Sequence, residues 1–202
     1  MEVEYKWNLS SNINGENIFT EIEIPITLLE KSTIQMSAKY YDTDDEVLKN
    51  NQGALRLRKE NDLSVCCLKL KSVGNGNCVK REEYEVVSDN IFEGINKLSQ
   101  SGAPVDLCQL LIQKKVKEIC FISFLRKRMT VSIKIDNFEA TVELAFDEGF
   151  FEHETRKTAF SDFECEYVNG DEIAFHTFAK KLESNFKLVP QNSPKIARAL
   201  QV

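Results

Sequence analysis

Histidine is nearly missing from this chain: His153 and His176 are the only two, and neither stands at a ligand-like spacing from a cysteine. That disfavours a histidine–cysteine zinc site and supports no Ser-His-Asp or Cys-His catalytic arrangement. The six cysteines, at 66, 67, 78, 108, 120 and 165, form no CxxC pair. Cys66 and Cys67 are adjacent on a strand-like segment, where their side chains point to opposite faces. Reduced thiols in a cytoplasmic protein are the expectation. No apolar run approaches the length that spans a bilayer, and the opening Glu2, Glu4 and Lys6 do not make a secretory signal. A surplus of positive charge is absent too. The net charge of −6 argues against a nucleic-acid partner, which would need excess Lys and Arg to release counterions. It is compatible with one locally basic pocket.

What the chain does contain is ordinary for a globular protein: 42% hydrophobic and 29% charged residues over a length of 202. That length suits a single domain, residues 1–202, with a sizeable core. No fixed-period repeat, low-complexity stretch or interdomain linker breaks it. Strands are expected at 2–7, 34–42, 53–60, 63–71, 79–87, 116–127, 129–136, 139–147 and 161–168, from period-two alternation. Helices are expected at 14–31 with a break at Pro25, near 44–50, at 89–101, 104–113 and 171–186. Residues 148–158 read as a polar connection, and Ile135-Asp136-Asn137 as a turn. The fold class is α+β with strands dominating.

One pattern recurs on strand after strand. Two like charges sit at i and i+2, with an apolar residue between them in every pair except Arg126/Arg128, where it is Lys127: Glu2/Glu4, Arg56/Arg58, Lys69/Lys71, Glu83/Glu85, Arg126/Arg128 and Glu164/Glu166. Glu143 and Asp147 form a wider version. Period two puts each pair on one face of its strand. A solvated sheet face explains any single pair, but like charges at neighbouring same-face positions repel, and the pairing persists through the chain. The opposite faces, such as Leu55/Leu57 and Phe163/Cys165/Tyr167, are apolar and need cover. Amphipathic helices outside and charged faces inside satisfy both demands, as a closed barrel with a wet or ligand-filled interior. Counting Lys6 and Arg81 gives eight bases and eight acids. Paired arginines match phosphate oxygens, and clustered carboxylates suit hard divalent cations.

Glu2-Val-Glu4-Tyr-Lys6 resembles the ExExK signature of the CYTH superfamily, the triphosphate tunnel metalloenzymes. The remaining elements follow in that family's order: Tyr40-Tyr41-Asp42-Thr43, Leu55-Arg56-Leu57-Arg58, Leu68-Lys69-Leu70-Lys71, Arg81 with Glu83 and Glu85, Arg126-Lys-Arg128, Glu143 to Asp147, Glu164-Cys-Glu166 and a late Lys195. The resemblance implies an eight-stranded antiparallel tunnel with helices packed outside. It implies that Arg56, Arg58, Lys69, Lys71, Arg81, Arg126, Arg128 and Lys195 bind a triphosphate. Glu2, Glu4, Glu143, Asp147, Glu164 and Glu166 would hold Mg²⁺ or Mn²⁺, and Lys6, Glu4 and Glu166 would serve catalysis. Which of Lys69/Lys71 and of Glu83/Glu85 faces inward stays open. Hydrolysis of inorganic tripolyphosphate, thiamine triphosphate or a nucleoside triphosphate is the expected reaction. Class IV-type adenylate cyclisation and non-catalytic polyphosphate binding are the alternatives, and monomer and homodimer are both open. The Gly74-Asn-Gly76 loop reads as a turn, since it lacks the GxxxxGK[ST] form. His176 reads as structural, His153 as a loop residue, and Asp42 as a helix cap.

Overall fold

The computed structural model describes residues 2–9, 13–71 and 78–201; the expected Val73–Asn77 loop lies outside them. The first half contains β1 (Glu2–Asn8), α1 (Gly15–Thr20), β2 (Ile26–Asp42), α2 (Val47–Asn50), β3 (Ala54–Glu60), β4 (Leu63–Lys69), β5 (Cys78–Arg81) and β6 (Glu83–Val87). Helices α3 (Ile91–Gln100) and α4 (Val105–Gln113) follow. The second half is β7 (Lys117–Ile135), β8 (Phe138–His153), β9 (Arg156–Gly170), α5 (Glu172–Phe186), β10 (Val189–Pro190) and α6 (Lys195–Ala199).

Every ladder is antiparallel. The order runs β1-β9-β8-β7-β2-β3-β4-β6. Glu82 alone separates β5 from β6, and this bent segment closes the circuit, because β5 pairs with β1 while β6 pairs with β4. The expected barrel is present, but the strands among the described residues number ten rather than eight. Glu82 splits one strand into two, and β10 adds a two-residue pairing beside Trp7 and Asn8.

Three segments differ from the sequence expectation, for one reason. The Ile22–Leu29 stripe suggests helix as far as 31, yet β2 begins at Ile26, where the chain pairs with Ile133 of β7. Residues 117–135 form one strand, since β2 and β8 both pair through Arg126, Lys127 and Arg128 without a break. The polar stretch at 148–158 is the tip of the β8–β9 hairpin, with Glu154 at its turn in the left-handed region, φ 54. Ladder pairing over a long partner outweighs local propensity.

Apolar faces point outward and are covered. Val3, Tyr5 and Trp7 of β1 join Phe163 and Cys165 of β9 beneath Phe175, Phe178 and Leu182 of α5. Tyr5 Oη shares a 3.0 Å hydrogen bond with His176 Nδ1, so His176 belongs to this packing. Leu55, Cys66 and Leu68 lie beneath Ile95, Leu98, Cys108 and Leu111 of α3 and α4. A third cluster lies instead on the inner side, where Met36, Ala38, Tyr40 and Phe124 meet Phe160 and, from α6, Ala199. Asp42 is a cap, as expected: Oδ1 accepts the N–H of Thr43 at 2.8 Å and of Leu48 at 2.9 Å. No helix among the described residues is long and apolar enough to cross a membrane.

Candidate active site

A cavity of about 710 Å³ occupies the barrel interior. Its lining holds eight bases, Lys6, Arg56, Arg58, Lys69, Arg81, Arg126, Arg128 and Lys195, and eight acids, Glu2, Glu4, Glu60, Glu83, Glu85, Glu143, Glu164 and Glu166. Both members of the Glu83/Glu85 pair face inward. Lys71 does not reach the cavity: β4 ends at Lys69, and Lys71 is exposed beyond it. Asp147 is not at the cavity surface either. It is 0% exposed, held behind the wall. The wall is not charged all round, because Ile34, Met36, Ala38 and Tyr40 of β2 present apolar groups and one phenol.

The acids divide into two groups. Register places Glu4, Glu166 and Glu143 in one row across β1, β9 and β8. Glu2 lies two residues from Glu4 on the same face. Arg81 donates from Nε to Glu2 at 2.6 Å and from Nη2 to Glu4 at 2.6 Å, and Lys69 Nζ reaches Glu2 at 3.0 Å. Glu166 makes no hydrogen bond or ion pair with any described residue. Burial, reinforced by Glu2, Glu4 and Glu143, pushes its carboxyl up to about 8. Burial also raises Glu143, although Arg128 stands 3.5 Å away.

The second group is closed by ion pairs. Arg126 grips Asp147 with two bonds of 2.7 Å and reaches Glu164 at 2.6 Å. Lys195, on α6, donates to Glu164 at 2.6 Å and approaches Asp147 at 2.9 Å and Asp162 at 3.5 Å. Lys6 stands 3.2 Å from Glu164 and from Glu4. Burial alone would raise Glu164, but Lys195, Lys6 and Arg126 hold it well below the usual carboxylate range. Asp162, 0% exposed and paired with Arg198, escaped the sequence reading, as did Glu60. A signal existed for both: Asp162 is two residues before Glu164, and Glu60 two after Arg58, each on the same strand face.

The basic wall carries incomplete donors. Arg56 and Arg58 each bury an Nε–H that finds no acceptor among the described residues. Their other nitrogens touch acids: Arg56 lies 3.4 Å from Glu83 and Arg58 lies 3.1 Å from Glu85. A buried donor without a partner costs roughly 1–3 kcal/mol, which an oxyanion in the cavity would relieve.

Two acidic clusters come into question for a cation. Cys67, Glu83 and Glu85 bring three ligand atoms within 4.8 Å of one another. That cluster is already neutralised by Arg56, Arg58 and Lys69, and burial pushes the Cys67 thiol up to about 12, so it offers no thiolate. The row Glu4–Glu166–Glu143, with Glu2, is acid-rich and includes an unpaired carboxylate. Oxygen donors of this kind fit Mg²⁺ or Mn²⁺.

The fold recurs in solved structures. A Hippeastrum protein, provisionally an adenylyl cyclase and described as having a dominant triphosphatase activity, shares 16% identity at a TM-score of 0.59, covering 100% of this chain and 95% of its own. A provisional adenylate cyclase from Bacillus halodurans shares 17% at 0.59, covering 98% and 96%. A Pyrococcus horikoshii protein shares 16% at 0.58, covering 100% and 99%. These likenesses establish the barrel architecture. The CYTH domain model matches residues 1–200, so this chain belongs to the CYTH domain family.

Proposed function

We propose that the protein hydrolyses triphosphates with the help of a divalent cation, Mg²⁺ or Mn²⁺, inside the barrel. One observation carries this reading: the same cavity holds Arg56 and Arg58 donors without acceptors and a Glu166 carboxyl without a donor among the described residues. A triphosphate–cation complex supplies what each lacks. Arg56, Arg58, Lys69, Arg126 and Arg128 take the phosphate oxygens, the arginines through their planar forks. Glu2, Glu4, Glu143 and Glu166 are the oxygen donors for the cation. Held by these carboxylates, a cation would offset the negative charge that develops on the phosphate oxygens.

Asp147 and Glu164 have a different role in this reading. Bound to Arg126 and Lys195, they orient those cations rather than coordinate metal. Lys6, between Glu4 and Glu164, directs its charge toward the phosphates from β1. With one oxygen toward the cation, Glu166 would keep its second oxygen to accept the proton of an attacking water. The chemistry is then positioning plus charge neutralisation. The dominant triphosphatase activity described for the Hippeastrum relative favours hydrolysis over cyclisation.

The test is incubation with Mg²⁺ or Mn²⁺ and tripolyphosphate, thiamine triphosphate or ATP, followed by assay of phosphate, pyrophosphate and cyclic AMP. Phosphate release that stops on chelation is the expected result. Cyclic AMP with pyrophosphate from ATP would replace hydrolysis by cyclisation, and no turnover on any substrate would reduce the protein to a binder.

A further inference from the structure

Two buried aspartates face each other across the β8–β9 ladder: Asp147 pairs with Asp162, and both are 0% exposed. Like charges so placed are destabilising unless cations answer them. Each is gripped by an arginine fork from a different element. Arg126 of β7 takes the two oxygens of Asp147 at 2.7 Å. Arg198 of α6 takes the two oxygens of Asp162, Nη1 reaching Oδ1 at 3.0 Å and Nη2 reaching Oδ2. Lys195 lies between the forks. Its Nζ stands 2.6 Å from Glu164, 2.9 Å from Asp147 and 3.5 Å from Asp162, so Asp162 is the acid of the three that it approaches least closely.

Lys195 lines the charged cavity, and Arg198 is not part of that lining. The two are three residues apart on α6 and share one face of it. Aromatic rings hold Arg198 in place. Its guanidinium carbon lies 5.0 Å from the ring centre of Phe151 and 5.7 Å from that of Phe160, and these two rings stack at 4.3 Å. A planar fork lying over aromatic rings keeps one orientation.

Lys195 and Arg198 therefore compete for one carboxylate. While the fork of Arg198 occupies Asp162, Lys195 is left to Glu164 at the cavity wall. Without the fork, Asp162 is a bare buried charge, and Lys195 is the remaining cation in contact with it among the described residues. An unpaired buried charge is more costly than a shared one, so the ammonium would shift toward Asp162 and away from Glu164.

We infer that Arg198 is a positioning residue: by occupying Asp162 it holds the Lys195 ammonium at the cavity wall, where it meets the phosphate oxygens of the substrate. The inference rests on the hydrolytic reading above for what Lys195 meets. Arg198 itself touches no substrate.

The experiment removes the fork and then removes the acid that it occupies. Hydrolysis of tripolyphosphate with Mg²⁺, and calorimetric binding of tripolyphosphate in metal-free buffer, are measured on wild type, Arg198→Met and Asp162→Asn/Arg198→Met, each well below its melting transition. Arg198→Met is expected to lose about tenfold or more in kcat/KM and in affinity, as loss of an outer partner typically does. Asp162→Asn/Arg198→Met is expected to return to within about threefold of wild type, because Lys195 then has no bare aspartate to follow. On a Lys195→Met background, Arg198→Met is expected to cost less than about twofold, since the group through which it acts is gone. No loss in Arg198→Met, a loss that persists in Asp162→Asn/Arg198→Met, or an equal loss on the Lys195→Met background overturns the inference. If Lys195→Met/Arg198→Met does not fold, recovery in Asp162→Asn/Arg198→Met decides. If wild type binds tripolyphosphate without turning over any triphosphate, the hydrolytic reading fails separately, and the calorimetric comparison decides by the same criteria. A wild type that neither hydrolyses nor binds tripolyphosphate overturns both.

Discussion

Glu166 of β9 stands directly across the ladder from Glu4 of β1, like charge facing like charge. Such pairs are destabilising on a sheet unless something between them compensates. With Glu143 opposite Glu166 on the other side, three carboxylates form one row at the cavity wall.

That row sets a pH dependence. Without a cation, folded Glu166 keeps its proton up to about pH 8, while the unfolded side chain releases it near the ordinary 4.5. Between these values the folded state binds more protons, so stability falls as pH rises and the loss is complete above about 8. The contribution is on the order of a few kcal/mol, at 1.36 kcal/mol per pKa unit. Glu166→Gln removes this titration. In chelator, its melting temperature is expected to exceed that of wild type near pH 9, with a shallower decline between pH 5 and 8. Added Mg²⁺ should stabilise wild type more than the variant. Parallel wild-type and variant curves would refute the role assigned to the row.

Removal of a metal donor is a second test. Glu4→Gln is expected to abolish Mg²⁺-dependent turnover while leaving a cooperative melt, because the amide keeps the side chain's shape but loses its charge. Near-wild-type turnover in the presence of Mg²⁺ would remove Glu4 from the site.

On the basic wall, Arg58→Ala should cost about 2–4 kcal/mol of transition-state stabilisation, by analogy with loss of one oriented donor. It is read as a fall in kcat/KM of about thirtyfold to about a thousandfold. A change smaller than about threefold would mean that its buried Nε–H does not meet substrate.

Lys195 ties α6 to the barrel. Replacing it with Met leaves Asp147, Asp162 and Glu164 short of one shared cation. Breaking a buried ion pair in this way typically costs about 3–5 kcal/mol. Denaturant titration should show that loss, and limited proteolysis should show faster cleavage after residue 190. An unchanged midpoint would contradict the network.

Gly149 tests the barrel wall itself. An added Cβ would lie 2.1 Å from Ser123 O and 2.4 Å from Phe124 Cβ, so β7 and β8 would have to separate. Gly149→Ala is expected to destabilise by about 1–3 kcal/mol, as overpacking does, measured by chemical denaturation. A neutral effect would show that this pairing yields easily.

Much of the interior was legible in advance because a strand's side chains alternate strictly. Once a strand is recognised, Glu2/Glu4, Arg56/Arg58, Glu83/Glu85 and Glu164/Glu166 must each share a face. Where the strand ended was less legible. Lys71 continues the alternation of Lys69 but falls beyond the last ladder pairs, Ala54–Lys69 and Lys69–Glu83. The helix expected to continue to 31 failed for a similar reason. Only β7, more than ninety positions away in sequence, makes residues 26–31 a strand.

The pairing of opposite charges was not legible at all. Asp147 and Glu143 read as one acidic motif, yet one is sealed between Arg126 and Lys195 and the other faces the open cavity. The amino-acid sequence by itself determined that charges of both signs would line strand faces in equal number, because period-two alternation is a local property of the backbone. Tertiary structure alone decided which acids are neutralised and which remain available, because that depends on where α6 returns along the barrel to place Lys195 and Arg198. Coulomb energy falls with distance in space, and distance along the chain does not enter it.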